Sequence, residues 1–259
     1  MKTISTSVGL RLLCVALAGA GAVRAGEIRV VTSGAFTAAF TELAPEYERA
    51  SRDRVITEFG PSMGTTHNAI PMRLERGEDI DVVILAAPAL AELIRQGKVL
   101  ADSRVDLVVS KIGLAVRAGA RRPDIGTVDA LKRVLLAAKS IGVSDSASGV
   151  YLTSELFPRL GIAPQIATRV RKIEADPVGV FVAREDVEIG FQQISELLPV
   201  KGIEIVELPP DAQRVTVFAA GIPATSKHPA EAGGLIRWLA SPQASATIKK
   251  SGLEPLQSH

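Results

Sequence analysis

Short β-branched apolar runs alternate with segments whose apolar residues recur every three or four positions, from residue 27 almost to the end of the chain. "EIRVVTS" (Glu27–Ser33) reads as a strand running into a loop. Phe36, Phe40, Leu43 and Tyr47 follow at helical spacing, with Pro45 placed to kink that helix. "RVITEF" predicts a second strand, and a helix is expected near Thr66–Arg76. "DVVIL" (Asp81–Leu85) is apolar without alternation, as in strands of a parallel sheet covered on both faces. Pro88 then opens a helix at its first position and Gly97 closes it.

The same rhythm continues through the middle of the chain. "DLVVSKIGLAVRAG" is too long for one ordinary strand and is expected to cross between two lobes. Thr127–Lys139 predicts a helix, "SIGVS" (Ser140–Ser144) a strand, and Val150–Leu160 a further helix. Strands are expected in "RKIE", "VEIGF" and "IEIVEL", and "RVTVFAAGI" (Arg214–Ile222) reads as a second crossing. The chain ends with helices at Ala230–Leu239 and from the Ser241–Pro242 cap to a stop at Gly252. Alternating strands and helices specify an α/β fold with parallel-rich sheets flanked by helices. Two crossings without a linker predict two lobes: residues 26–108 with 219–259, and residues 109–218.

Composition adds an export signal. In residues 1–25, Lys2 and Arg11 precede or open an apolar run at Leu12–Val23, and "VRA" at Val23–Ala25 offers small residues for cleavage near Ala25. The run is shorter than the roughly 20 residues a spanning helix needs, so no membrane insertion is expected once the leader is removed. The chain carries 30 Lys and Arg against 28 Asp and Glu; with Lys2, Arg11 and Arg24 in the leader, 27 basic residues remain. The remainder is close to neutral, which argues against a nucleic-acid surface. The single cysteine, Cys14, lies in the leader without the small residues of a lipoprotein box before it. The exported chain therefore has no thiol for a disulfide, a metal site or a nucleophile.

Three loops share one character. "TSGAF" (Thr32–Phe36, with Ser33, Gly34 and Ala35), "GPSMGTT" (Gly60–Thr66, with Ser62 and Met63) and "SDSASGVY" (Ser144–Tyr151, with Ser148 and Gly149) each follow a strand and precede a helix. Ligands of open α/β sheets bind at the carboxyl ends of strands, where helix N-termini offer unpaired N–H groups and a positive dipole end. Any one such loop is more often an ordinary cap or turn; three in corresponding places predict an anion-binding cleft. None has the spacing or lysine of a phosphate P-loop, and none is a G-x-S-x-G elbow. No H-x-x-x-H or His–carboxylate cluster calls for a metal, and no cofactor is expected. His67 stands one residue beyond the second loop: either an exposed first-turn helix residue or a titratable group at the cleft.

With these features in hand, the chain resembles the periplasmic molybdate-binding proteins, which are type II solute-binding proteins. The likeness runs from "IRVVTSGAF" through "IDVVIL" and "SASGVYLTSELFPRLGI" to "LIRWLASPQASATIKKSGLEP". It implies a periplasmic monomer with a cleft between two hinged lobes, a small anionic ligand and an ABC permease as partner. It also implies where the oxyanion donors would fall, and several are missing. Ser62 and the Ser148 amide match the family pattern, but Ala35 stands where a serine hydroxyl is expected. Pro177 stands where an amide is expected, and Phe191 where a tyrosine hydroxyl is. An unmade hydrogen bond to a desolvated charge costs roughly 1.5–3 kcal/mol, so three losses disfavour molybdate by several powers of ten. With Gln192 and Gln193 nearby as amide donors, the resemblance points to capture of an organic polycarboxylate. A branch of the superfamily, the periplasmic aconitate isomerases, departs from the molybdate ligand set in the same way and gives the alternative: trans-aconitate to cis-aconitate by a proton shift. In that case His67 is the expected titrating group, with Tyr151 behind it.

Overall fold

The computed structural model describes residues 26–174 and 176–256, so the leader with its cleavage point lies outside the described residues. The first sheet holds β1 (Glu27–Thr32), β2 (Arg54–Phe59), β3 (Val82–Ala86), β4 (Val105–Ser110), β10 (Thr216–Gly221) and β11 (Glu254–Pro255), in the order β11-β4-β10-β3-β1-β2. The second holds β5 (Ile112–Arg117), β6 (Ile141–Ser144), β7 (Val170–Ile173), β8 (Ile189–Gln193) and β9 (Ile203–Glu207), in the order β7-β6-β8-β5-β9.

Each sheet is covered on both faces because its strands present apolar side chains both ways. Ile28, Val30, Val82 and Ile84 pack on Phe36, Phe40, Leu43 and Tyr47, the apolar stripe of the helix Gly34–Ser51. That helix continues through Pro45 to a left-handed cap at Arg52. On the opposite face Val31, Val83 and Leu85 meet Ile70, Leu90 and Leu93. All five residues of β3 are consequently buried, which explains its unbroken apolar run. Leu114, Val143 and Phe191 form one side of the second core with Leu131, Tyr151, Leu152 and Leu156. Ala115, Ile173, Val178 and Val182 form the other. Removing a fully buried side chain such as Phe40 or Phe191 costs about 3–5 kcal/mol.

The pairing is mixed, where mainly parallel sheets were expected. β1 runs parallel to β2 and β3, and β6 parallel to β7 and β8. The strands next to the crossings, β4, β5 and β10, pair antiparallel with their neighbours. β10 enters the first sheet from the second lobe and β5 enters the second sheet from the first, so each runs against its neighbours. β4, which leads out of the first lobe, runs with β1–β3 and opposes only β10 and β11. The outward crossing is Lys111, between β4 and β5, as the long apolar run foretold. The return differs from the expectation: β10 lies wholly in the first sheet, and residues 208–215 make the crossing. Gln213 ties the two passages together, its Oε1 accepting from Ile112 N–H at 2.8 Å and its Nε2 donating to Ile112 O at 3.0 Å.

Two helix boundaries also shift. The expected Thr66–Arg76 helix is Ile70–Glu75, because Ile70 N–H donates to Pro61 O and Ala69 N–H to Thr66 O, closing residues 60–69 as a loop. The helix expected from Val150 begins at Ala147. Ser144 Oγ accepts the Gly149 N–H at 3.2 Å and so satisfies a first-turn donor that would otherwise lack a partner.

Candidate functional site

The carboxyl ends of β1, β6 and β8 open onto a cavity of about 1040 Å³ between the lobes. Ser33 shows how the first lobe builds its wall. Its N–H donates to Ile84 O at 2.8 Å, and its carbonyl accepts from Phe36 N–H at 3.1 Å and Thr37 Oγ1 at 3.2 Å. The backbone is locked to β3 and to the first helical turn, yet the hydroxyl makes no cap bond. Ser33 Oγ is buried, lacks any partner among the described residues and lines the cavity. A buried hydroxyl without a partner is costly; a ligand oxygen is the kind of partner that would satisfy it. Gly34 and Ala35 continue this wall.

Ser62 and Met63 are held elsewhere. Ser62 is fully buried; its Oγ accepts from Ala86 N–H at 3.0 Å, and its N–H donates to Ser146 Oγ at 3.3 Å. The "GPSMGTT" loop therefore meets the "SDSASG" loop across the lobes, and it is Gly60 and Pro61, not Ser62 or Met63, that line the cavity. His67 is exposed and also lies outside the lining. On the second lobe Ser148 lines the cavity, its Oγ 2.9 Å from Ser144 Oγ. Gly149 lies against the Ser144 carbonyl so closely that a β-carbon there would overlap it. Tyr151 points into the second core: its hydroxyl donates to Ala212 O at 3.0 Å, and Arg214 lies 4.5 Å from the ring centre. Phe191 is likewise fully buried in that core, with Leu114 and Val143 as strand partners. Pro177 does line the cavity, and the next amide, Val178 N–H, is taken by Gln192 Oε1 at 2.8 Å.

The residue that the sequence reading left out is Glu196. It sits in the short helix Ile194–Leu197 directly after β8 and lines the cavity. Gln192, four residues earlier, donates from Nε2 to Glu196 Oε2 at 2.6 Å. Gln192 is itself fixed by its bond to Val178, so the carboxyl is held by a two-step relay from the backbone. From the other lobe, Gly34 abuts it: a β-carbon at Gly34 would overlap the Glu196 carboxylate. Burial pushes this carboxyl up to about 7; the Gln192 hydrogen bond opposes the rise and the charge of Asp145 adds to it. Ser195 and Gln193 also line the cavity, and their buried Oγ and Oε1 have no partner among the described residues. The signal in the sequence was the polar cluster "QQISE" at the end of an apolar strand, with Glu196 at helical spacing from Gln192.

Cations complete the lining. Arg184, Lys201 and Lys250 all contribute, and Lys250 pairs with Glu42 at 3.1 Å. Among the described residues no group of three or more His, Cys, Asp or Glu is placed to hold a metal ion. The cleft thus combines neutral donors and cations suited to an anion with one carboxyl near the midpoint of its titration at neutral pH.

Two α/β lobes joined by two crossings, with strand-end loops facing each other over one cleft, define the type II periplasmic-binding-protein fold. The chain belongs to the bacterial extracellular solute-binding protein family, whose sequence profile matches residues 28–254. It is 46% identical over 230 residues, 88% of either chain, to a protein of Pseudomonas sp. named aconitate isomerase. It is 28% identical over 257 residues to the molybdate-binding protein ModA of Azotobacter vinelandii, 95% of this chain and 98% of that one. The solved structure of the Azotobacter vinelandii periplasmic molybdate-binding protein superposes with a TM-score of 0.70 at 20% identity, covering 90% of this chain and all of that one. Among the described residues no helix is long and apolar enough to cross a membrane.

Proposed function

We propose that this protein is an isomerase built on a solute-binding fold, converting trans-aconitate to cis-aconitate in the cleft between its lobes. The observation that carries the reading is the 46% identity to the Pseudomonas aconitate isomerase over 88% of both chains. The cleft supports it. A cavity of about 1040 Å³ has ample room for a six-carbon tricarboxylate, far more than a tetrahedral oxyanion fills. Arg184, Lys201, Lys250 and the Ser33 hydroxyl line it and are groups of the kind that hold carboxylates.

The chemistry is an allylic proton shift. The methylene C–H bond breaks, and its electron pair is delocalised through the double bond into the conjugated carboxylate. A proton then adds to the former vinyl carbon, and the double bond moves one position with no net gain or loss of protons. Negative charge grows on a carboxylate during the step, so pre-aligned donors around that carboxylate lower the barrier. Family membership and the fold favour a second use of the same site, capture of the acid for an ABC permease. In either use we infer a periplasmic monomer whose leader is cleaved near Ala25.

Purified residues 26–259 incubated with trans-aconitate should give the proton spectrum of cis-aconitate at a rate proportional to enzyme. Absence of conversion, together with thermal stabilisation by trans-aconitate, leaves capture as the function. Stabilisation by molybdate at micromolar concentration would restore the oxyanion reading.

A further inference from the structure

We infer that Glu196 is the catalytic acid–base residue of this cleft, removing the methylene proton of the bound tricarboxylate and returning it to the other end of the three-carbon unit. The inference rests on the isomerase reading and assigns the one step that reading leaves without a residue. His67 is exposed and outside the lining, and the Tyr151 hydroxyl is committed to Ala212. A proton carrier has to be in the cleft, fixed in direction and free to change its protonation state there.

Glu196 meets each requirement. It stands where the lobes meet, with Gln192 holding Oε2 from one side and the bare backbone of Gly34 against it from the other. Among the described residues only Oε2 is engaged by a protein donor, which leaves Oε1 for the substrate carbon. Gly34 opens the helix Gly34–Ser51, so the carboxyl lies near that helix's positive end. The charged groups around it are Asp145, on the loop after β6, and Arg184, Lys201, Lys250, Glu42 and Asp176 along the lining. Glu42 is paired with Lys250 and Asp176 is exposed, so neither matches Glu196 in seclusion. A carboxyl titrating at about 7 is ionised often enough to take a proton and acidic enough to give it back. The step balances: the substrate C–H bond breaks as the O–H bond of Glu196 forms, then the O–H bond breaks as the new C–H bond forms, and the carboxylate is regenerated.

The experiment compares wild type, Glu196→Gln and Glu196→Asp with trans-aconitate in light and heavy water. Three readings are taken: isomerisation rate against pH, exchange of the methylene hydrogens with solvent, and the thermal shift caused by ligand. Glu196→Gln is expected to lower kcat roughly 10²–10⁴-fold and to suppress exchange equally, while the ligand-induced thermal shift persists. The wild-type rate is expected to fall on the acid side of about pH 7. Glu196→Asp, with its carboxyl withdrawn by one methylene, is expected to keep a residual rate with the same acid limb, and it decides the matter if Glu196→Gln does not fold. Turnover by Glu196→Gln within about threefold of wild type overturns the assignment, as does loss of the thermal shift in that variant. Wild-type exchange without isomerisation, abolished in Glu196→Gln, would refute the isomerase reading and keep Glu196 as the proton carrier. Neither exchange nor isomerisation by wild type would refute both.

Discussion

The two walls of the cleft are built from different chemistry. The first-lobe wall, Ser33–Ala35, offers a hydroxyl whose backbone is tied to β3 while its own Oγ is left without a partner. Nothing on that short stretch titrates. The second-lobe wall at Gln192–Glu196 has an amide committed on both sides and a carboxyl displaced to about 7. The first wall is suited to hold charge and the second to move a proton. Capture needs only the first kind; the isomerisation proposed for this cleft needs the second as well.

Gly34 is where the walls touch, so Gly34→Ala breaks the comparison most severely. Its methyl group would overlap the Glu196 carboxylate, and either the carboxyl turns away or the lobes stay apart. A displacement of about 1 Å at a reacting group costs up to 10²-fold in rate, so kcat/KM is expected to fall by roughly that factor. Circular dichroism and melting temperature should change little, because the clash lies between lobes. An unchanged rate would show that Glu196 does not need its place against the first wall.

Ser33→Ala separates holding from proton transfer. The lost hydroxyl has no protein partner, so stability should hold or rise slightly, while affinity for the tricarboxylate falls about 10–100-fold, the equivalent of 1.5–3 kcal/mol. Titration calorimetry gives the affinity. Ser62→Ala is the control on the same lobe: Ala86 N–H loses its acceptor in the interior, and urea unfolding should report a loss of about 1–3 kcal/mol. Equal effects on affinity from both substitutions would contradict the placement of Ser62 outside the lining.

The second wall has a signature without ligand. The folded pKa of Glu196 is raised above the ordinary carboxylate value, so between roughly 4.5 and 7 the folded protein binds more protons than the unfolded chain. Stability therefore falls as pH rises through that window and levels off above it. Each unit corresponds to 1.36 kcal/mol; allowing for solvent access, a decline of on the order of 1–3 kcal/mol is expected. Glu196→Gln should remove that decline and be the more stable protein at pH 8. Parallel stability curves for the two proteins would show that Glu196 is not displaced.

The first wall was open to sequence reading in a way the second was not. Ser33, Gly34 and Ala35 interrupt an apolar chain between a strand and a helix, and both the fold and the loop positions follow from such punctuation. Glu196 lacks that contrast: glutamate in the first turn of a helix is ordinary, and its neighbour Leu197 reads as core. What makes it unusual is tertiary, the covering by Gly34 from more than 150 positions away in the chain and the orientation by Gln192. The reverse error befell Tyr151 and Phe191. Both lie next to site segments in the sequence, but strand and helix periodicity turns their rings into the second core. Ser62 matched the family pattern, and its hydroxyl is already accepting from Ala86. Proximity in the chain identified the loops; which side chain faces the cleft was decided by packing.

Tyr151 provides the mildest test of where the second wall ends. Its ring is buried with Leu152 and Leu156, its hydroxyl donates to Ala212 O, and it is not part of the cavity lining. Tyr151→Phe keeps the ring and removes one hydrogen bond, leaving Arg159 without one of its contacts and the Ala212 carbonyl without a donor. The expected loss is about 1 kcal/mol in urea unfolding. Affinity and turnover should match wild type, because the substitution acts on the core behind the wall and not on its face. A fall in kcat with stability unchanged would instead bring the phenol into the reaction and move the boundary of the proton-handling wall to the helix that starts at Ala147.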